Sequence, residues 1–562
     1  MGGEERKSLA RLYRRQLPPD EVSTHEFNRE LAALSFAIHR QLAVLVNRRG
    51  KVTAVVVGEA GELQLPELSR PAVARQRFSG LRYLHTHLKG EPIGEDDLYQ
   101  LARNRLDLVL AVAVGPDGFP GPSLLAHLLP DNPKGRVFEI YEPIPAGRMR
   151  IDFQELIGAL EEELARTRRA AGSPAREGVI LVRAAVERKR NRVTGLKPVL
   201  LADGKAAAGG EELAELEELA RSAGVVVLDR FLQRREKYHA RYLVGEGKLR
   251  QIAGRAMQSG AETLIYDHEL TPAQVLGIEE ATGLKVVDRT QLILDIFAQR
   301  AQSGEGKIQV ELAQLRYLLP RLVGRGVGMS RLTGGIGTRG PGESKLEADR
   351  RKIRGRIRHL EHEIEQIRRS RATRRVRRER REAPVVSIIG YTNTGKSTLL
   401  NALTNSQVKV ADQMFATLDP TSRRLRFPRE REIIITDTVG FIRDLPKELL
   451  AAFRATLEEL ADADLFLHVA DAASAQLEAQ VQAVEALLRE LDFRATASLL
   501  VLNKVDRLDE GMPRALARRY PEAVMISALE RASFRPLLQA MESRLWPQQE
   551  LAEATLWQAL GF

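Results

Sequence analysis

Cysteine is missing altogether from the 562 residues. Disulfide bonds and thiolate metal sites are thereby excluded, which fits a reducing compartment. No apolar run approaches the ~20 residues that a membrane-spanning helix needs. The opening segment Met1-Gly2-Gly3-Glu4-Glu5-Arg6-Lys7 lacks the apolar stretch of a secretory leader, so a cytoplasmic protein is expected. Charge is plentiful: 29% of residues are charged, with a net +11, beside a hydrophobic content of 43%. That balance reads as soluble and globular, and the positive excess points to a polyanionic partner. A chain of 562 residues is too long for one core, and three or four domains are expected.

The most informative stretch is Gly390-Tyr391-Thr392-Asn393-Thr394-Gly395-Lys396-Ser397-Thr398, which fits the phosphate-cradling pattern G-x-x-x-x-G-K-[ST]. The apolar run Val385–Ile389 precedes it and a helix start follows, which is the context the motif needs. Glycines let the backbone turn its N–H groups toward phosphate oxygens, and the helix N-terminus adds partial positive charge. Lys396 would reach the β- and γ-phosphates, and the Ser397 hydroxyl would ligate Mg²⁺.

Four further stretches follow in the order of a Ras-like GTPase. Phe415-Ala416-Thr417-Leu418-Asp419 suits switch I, with Thr417 as a second Mg²⁺ ligand. Asp437-Thr438-Val439-Gly440 ends an apolar strand and suits switch II. Asn503-Lys504-Val505-Asp506 ends another; Asp506 can accept both the N1 and N2 hydrogens of guanine. Leaving that buried carboxylate unpaired is costly, so ATP should be rejected by a factor on the order of 10⁴. Ser527-Ala528-Leu529 would close over the base. After Gly440 comes Phe441, where Ras-like enzymes carry a water-orienting glutamine. A phenyl ring cannot orient water, so no catalytic residue is assigned, and hydrolysis should be slow until a partner supplies a group contributing roughly 10³–10⁵ in rate.

Upstream of this domain, residues 178–288 alternate strands and helices, as a small parallel α/β domain does. Val179–Val182, Gly224–Leu228, Tyr242–Val244, Thr263–Asp267 and Lys285–Asp288 read as strands, and Glu211–Ala223 as an acidic helix. Gly245-Glu246-Gly247-Lys248 resembles half of a phosphate loop without its spacing. Residues 289–383 read as a helical hairpin. Its first arm is Arg289–Leu322; Gly324–Gly342 is a glycine- and arginine-rich tip; and Ile353, Ile357, Leu360, Ile364 and Ile367 form a coiled-coil seam on the second arm. That arm ends in an arginine run from Arg368 to Arg381, a density that self-repels unless phosphate is near. Arg374, Arg375, Arg377 and Arg378 there, with Arg339 in the tip, are the candidate RNA contacts. Residues 384–546 make the GTPase domain and 547–562 a short tail.

Residues 1–177 form an α+β block. Leu31–Arg40 reads as a helix, Leu42–Val46 and Lys51–Val57 as a strand pair and Leu106–Val114 as a buried strand. His85 and His87, at i and i+2 on a strand, point the same way, and Asp96 and Asp97 follow. This resembles a variant of the JAB/MPN metalloprotease-like site. Nine residues separate His87 from Asp97, where that family has ten; Leu88 replaces a common proline; and no upstream glutamate is assigned as a general base.

Over about residues 178–545 the chain resembles the HflX family of ribosome-associated GTPases, of the Obg–HflX-like group. The resemblance rests on residues 390–398, Phe415–Thr421 and Asp437–Ile442, and equally on Gln309–Leu315 and Gly334–Glu343 outside the GTPase core. It implies GTP and GDP as ligands and Mg²⁺ as cofactor. It also implies binding to the large (50S) ribosomal subunit and its rRNA, activation by the ribosome, and splitting, rescue or recycling of ribosomes. The hairpin tip would lie near the peptidyl-transferase region. Two departures are expected: residues 1–177 are an added block, and little follows Trp546. The chain is expected to act as a monomer. An assembly factor for the large subunit, with nucleotide as an occupancy signal, is one alternative; a metallohydrolase regulated by its GTPase domain is another.

Overall fold

A computed structural model describes residues 3–58, 63, 65, 78–132, 134–170, 177–186, 207–330, 341–378, 383–404, 421–426, 432–437, 440–442, 460, 463–491, 493 and 496–546. Two compact units account for the chain. One holds residues 1–214 and 224–288; the other holds 215–223 and 289–562.

The first unit begins with α1 (Gly3–Leu12) and α2 (His25–Ile38), followed by β1 (Leu42–Asn47), β2 (Val52–Val57), β3 (Leu81–His87), α3 (Glu95–Arg103), β4 (Leu108–Val114), β5 (Pro120–Leu128), β6 (Phe138–Ile140) and α4 (Phe153–Ala170). The Thr24 hydroxyl accepts from Phe27 N–H and caps α2. The six strands form one sheet in the order β2-β1-β3-β4-β5-β6, parallel only between β3 and β4. Alternation along the strands feeds two cores. Leu42, Val44, Leu84, Leu108 and Leu110 face Leu31 and Phe153, while Ala43, Leu45, Tyr83, Val109 and Ala111 face Leu101 and Ile93.

A second, all-parallel sheet follows in the same unit. The elements of this stretch are β7 (Gly178–Val186), α5 (Ala207–Ser222), β8 (Val226–Arg235), α6 (Glu246–Ser259), β9 (Thr263–Tyr266), α7 (Pro272–Thr282) and β10 (Lys285–Asp288), of which α5 belongs to the second unit from Glu215 onward. The strand order is β10-β9-β7-β8. A Thr271–Gln274 capping box with Pro272 in the first turn starts α7. The strand expected at Tyr242–Val244 is absent. His239 and Leu243 instead exchange both backbone hydrogen bonds, and Leu243 has φ 62°, a left-handed turn that extended backbone cannot contain.

The two sheets of this unit are joined through α6. The buried Gln258 amide donates to the carbonyls of Leu129, Pro130 and Arg136 at 3.0, 3.1 and 3.0 Å. Met257 enters the core of the first sheet. Arg250 pairs with Asp96 at 2.9 Å, and Tyr99 OH donates to the Ala281 carbonyl at 2.5 Å.

The second unit opens with α8 (Arg289–Arg300), α9 (Gly304–Ser330) and α10 (Pro341–Arg378). The mostly helical arm expected over Arg289–Leu322 comprises two helices, broken where Ser303 Oγ accepts from Gly306 N–H and starts α9. The glycine-rich loop expected from Gly324 begins later, since α9 runs through Ser330. Propagating an existing helix adds one hydrogen bond per residue fixed, which offsets the glycine penalty. Ile308, Leu312 and Leu315 cluster with Ile357, Leu360 and Ile364, and Glu311 holds Arg356 at 2.7 Å. The 27 residues of α9 span about 40 Å, which the ten residues before α10 cannot retrace, so the paired helices are antiparallel.

The third sheet comprises β11 (Val385–Ile389), β12 (Thr421–Arg426), β13 (Glu432–Asp437), β14 (Leu465–Asp471), β15 (Ala497–Asn503) and β16 (Val524–Met525), with α11 (Lys396–Thr404) after β11. Its order is β12-β13-β11-β14-β15-β16, and β12 alone is antiparallel to its neighbour. β11, β13, β14 and β15 are largely apolar runs, as burial on both faces requires, whereas the edge strand β12 is polar and mostly exposed. The carboxyl ends of β11, β13, β14 and β15 converge on one edge, where such sheets bind ligands.

Candidate nucleotide site

The loop between β11 and α11 is held from three sides. Thr392 N–H donates to the Phe441 carbonyl at 2.8 Å, and Phe441 N–H donates to Gly390 at 3.0 Å, so the loop and the stretch after β13 are stitched by backbone. Asn503 at the end of β15 donates from Nδ2 to the Thr394 carbonyl at 2.8 Å and accepts Ala528 N–H at 2.9 Å. One buried amide thus ties the loop to the segment Ser527-Ala528-Leu529. Lys504, with φ 65°, donates to the Asn393 carbonyl at 2.6 Å and pairs with Asp471 at 2.8 Å. Two glycines are dictated by space. A β-carbon at Gly390 (φ 149°) would lie 2.1 Å from the Val469 carbonyl oxygen, and one at Gly440 would lie 2.9 Å from Thr392 Cγ2 and 3.0 Å from Lys396 Nζ.

Lys396 is buried, and its ammonium donates to the Tyr391 carbonyl at 2.7 Å inside the loop. Burial pushes its pKa down to about 8, against the attraction of Asp437 and with the repulsion of Lys504. His468 on β14 is held down to about 4, by burial first and by Lys396 second, so it is neutral. Ser397 Oγ donates to the fully buried Asp437 carboxylate at 2.6 Å. The Phe441 ring is buried, 2% exposed, which leaves it no access to a water at this edge.

The structure thus brings together Gly390 through Thr398, Asp437, Gly440, Asn503, Lys504, Ser527 and Ala528. Val505 and Asp506 open a short 3₁₀ turn beside them. Asp506 is exposed rather than buried as expected, so the large penalty for an unmatched base requires a ligand that covers it. Leu529 is also exposed. Phe415, Ala416, Thr417, Leu418, Asp419, Thr438, Val439 and Arg339 lie outside the described residues. Arg374, Arg375, Arg377 and Arg378 fall on the last turns of α10.

Three participants escaped sequence reasoning. Asp471, the partner of Lys504, carried a usable signal: it ends the apolar run Leu465–Ala470. Glu215 and Glu218 carried none. On α5, Glu215 accepts the Tyr391 hydroxyl at 2.8 Å and pairs with the buried Arg289, while Glu218 accepts Asn393 Nδ2 at 2.9 Å.

In sequence, three family models match: GTP-binding GTPase N-terminal over residues 210–298, GTP-binding GTPase middle region over 300–378 and 50S ribosome-binding GTPase over 385–504. The GTPase HflX of Caldanaerobacter subterraneus is 47% identical over 341 residues, covering 61% of this chain and 78% of that protein. The GTPase HflX of Escherichia coli is 46% identical over 348 residues, covering 62% and 81%. That of Lacrimispora saccharolytica is 49% identical over 300 residues, covering 53% and 71%. With its phosphate loop, its Asn503 tie and these relatives in agreement, the chain belongs to the HflX family of GTPases.

Proposed function

We propose that this GTPase binds the large ribosomal subunit and couples GTP binding and hydrolysis to ribosome splitting, rescue or recycling in the cytoplasm. The observation that carries the reading is the convergence of Lys396, Ser397, Asp437, Gly440 and Asn503 on one sheet edge, in a chain whose preceding helix ends in arginines. Lys396 would exchange the Tyr391 carbonyl for phosphate oxygens. Asp506 would accept the guanine N1 and N2 hydrogens.

The donor set at Ser397 and Asp437 is all oxygen, with a buried carboxylate at the head of α11, and it fits a hard cation. Mg²⁺ would be held there by Ser397 directly and by Asp437 through water, with Thr417 as the further hydroxyl ligand. When bound it would neutralise charge on the β- and γ-phosphates. Gly440 N–H would report the γ-phosphate, and the stitched Thr392–Phe441 backbone would carry that report to the loop. Phe441 offers no means of orienting water, so rapid turnover needs a group from outside.

GTP turnover with and without large subunits tests the reading. A rise of roughly 10³-fold or more is expected if the ribosome supplies that group. Equal rates would overturn it. Reversing Arg374, Arg375, Arg377 and Arg378 to glutamate should abolish co-sedimentation with large subunits while GTP binding persists.

A further inference from the structure

The nucleotide chemistry leaves a buried cluster in the first sheet unused. His85 and His87 lie on the same face of β3, and Asp97 is the third residue of α3. One ligand atom of each lies within 4.8 Å of the other two. His85 Nε2 is 2.8 Å from His87 Nε2 and 3.1 Å from Asp97 Oδ1, and His87 Nε2 is 3.7 Å from Asp97 Oδ2. We infer that His85, His87 and Asp97 hold a zinc ion, with the fourth coordination position open.

The argument starts from lone pairs. The Glu91 carbonyl, 2.7 Å from His87 Nδ1, can only accept, so His87 carries its proton on Nδ1 and turns a lone pair on Nε2 toward the cluster. The Asp97 carboxylate brings more lone pairs. His85 Nε2 completes a triangle of acceptors when the ring proton sits on Nδ1, an atom that is buried and without a partner in either tautomer. A cation at the centre satisfies all three atoms together.

Size agrees. A tetrahedral ion with bonds near 2.0–2.1 Å separates its ligands by about 3.3 Å, and the distances here, 2.8, 3.1 and 3.7 Å, fall on either side of that value. Two imidazoles and one carboxylate, with no thiolate available in the chain, suit zinc with an open position. The ligands are also held in place. The His85 ring stacks on Tyr83 at 4.5 Å, and Asp97 Oδ2 accepts Gly94 N–H at 2.9 Å. The capped start of α3 is what lets the nine-residue spacing close. Asp96, the other candidate, is turned away to Arg250.

The test uses the full chain, incubated with zinc and desalted, then measured by elemental analysis. Stoichiometric zinc is expected, together with a tetrahedral visible spectrum after cobalt replacement. His87→Ala and Asp97→Asn should each weaken zinc binding at least ~10-fold. Asp97→Asn keeps an oxygen for Gly94 N–H, so circular dichroism should be unchanged and the folded state secure. Substoichiometric zinc in the wild-type chain, or zinc undiminished in both variants, would overturn the assignment and leave a hydrogen-bonded trio that locks α3 to β3.

Discussion

Lys396 is a cation whose surroundings oppose its charge, an opposition that phosphate would relieve on the reading proposed above. Below about pH 8 it is protonated with or without nucleotide, so affinity should not vary with pH there. Above that value the free site must take up a proton in order to bind, because phosphate restores the lysine toward its ordinary 10.5. The sign follows: GTP affinity falls as pH rises through about 8, by up to ~10-fold per pH unit. Titration with a fluorescent nucleotide between about pH 7 and 9 reads this directly. A Lys396→Arg chain, whose guanidinium never deprotonates in this range, should bind weakly and without that slope. A flat profile in the native chain would mean that the buried ammonium is better solvated than its contact with Tyr391 implies.

At the scale of elements, α5 matters more to the nucleotide loop than its place in the chain suggests. Glu215 serves two partners, the buried Arg289 and the Tyr391 hydroxyl. Glu215→Ala should destabilise the second unit by about 3 kcal/mol, the cost of breaking a largely buried ion pair. Tyr391→Phe alone should cost about 1 kcal/mol. Because both act through one carboxylate, the double variant should cost scarcely more than Glu215→Ala, a non-additivity readable by denaturant unfolding. Simple addition would show that the two contacts are independent. This contact also marks the boundary of what the sequence makes legible. The phosphate loop could be read because glycine spacing encodes backbone geometry, and β11, β13 and β15 because apolar runs ending in Gly, Asp or Asn encode a buried parallel sheet. Glu215 could not, since on an acidic helix nothing in the pattern separates it from Glu211 or Glu217. The break at Ser303 and the turn at Leu243 were hidden for a related reason. Apolar periodicity runs across both, and only backbone hydrogen bonding distinguishes a turn from a strand or a continuous helix. The continuation of α9 through Gly324, Gly326 and Gly328 shows the reverse, local propensity overridden by an established helix.

At the scale of the whole molecule, the first 177 residues and the parallel sheet after them make one compact unit rather than a tethered addition. The joint is of interior quality. Gln258 is 1% exposed and its amide meets three carbonyls, Met257 sits in the core of the neighbouring sheet, and a β-carbon at Gly254 would touch Val137 and Phe138 at 3.3–3.5 Å. Removing residues 1–177 would expose that face of α6 to water, with Met257 losing about 2 kcal/mol of burial and Gln258 losing its acceptors. The truncated chain should therefore show a lower unfolding temperature for its first transition, and self-association on size exclusion, at unchanged GTP affinity, because the nucleotide loop belongs to the other unit. A Gln258→Leu substitution in the intact chain should reproduce a smaller part of the loss, about 1–3 kcal/mol, by leaving buried carbonyls without their donor. A truncated chain that stayed monodisperse and unfolded at the native temperature would show the joint to be incidental, and the first block to be a passenger on a self-sufficient GTPase.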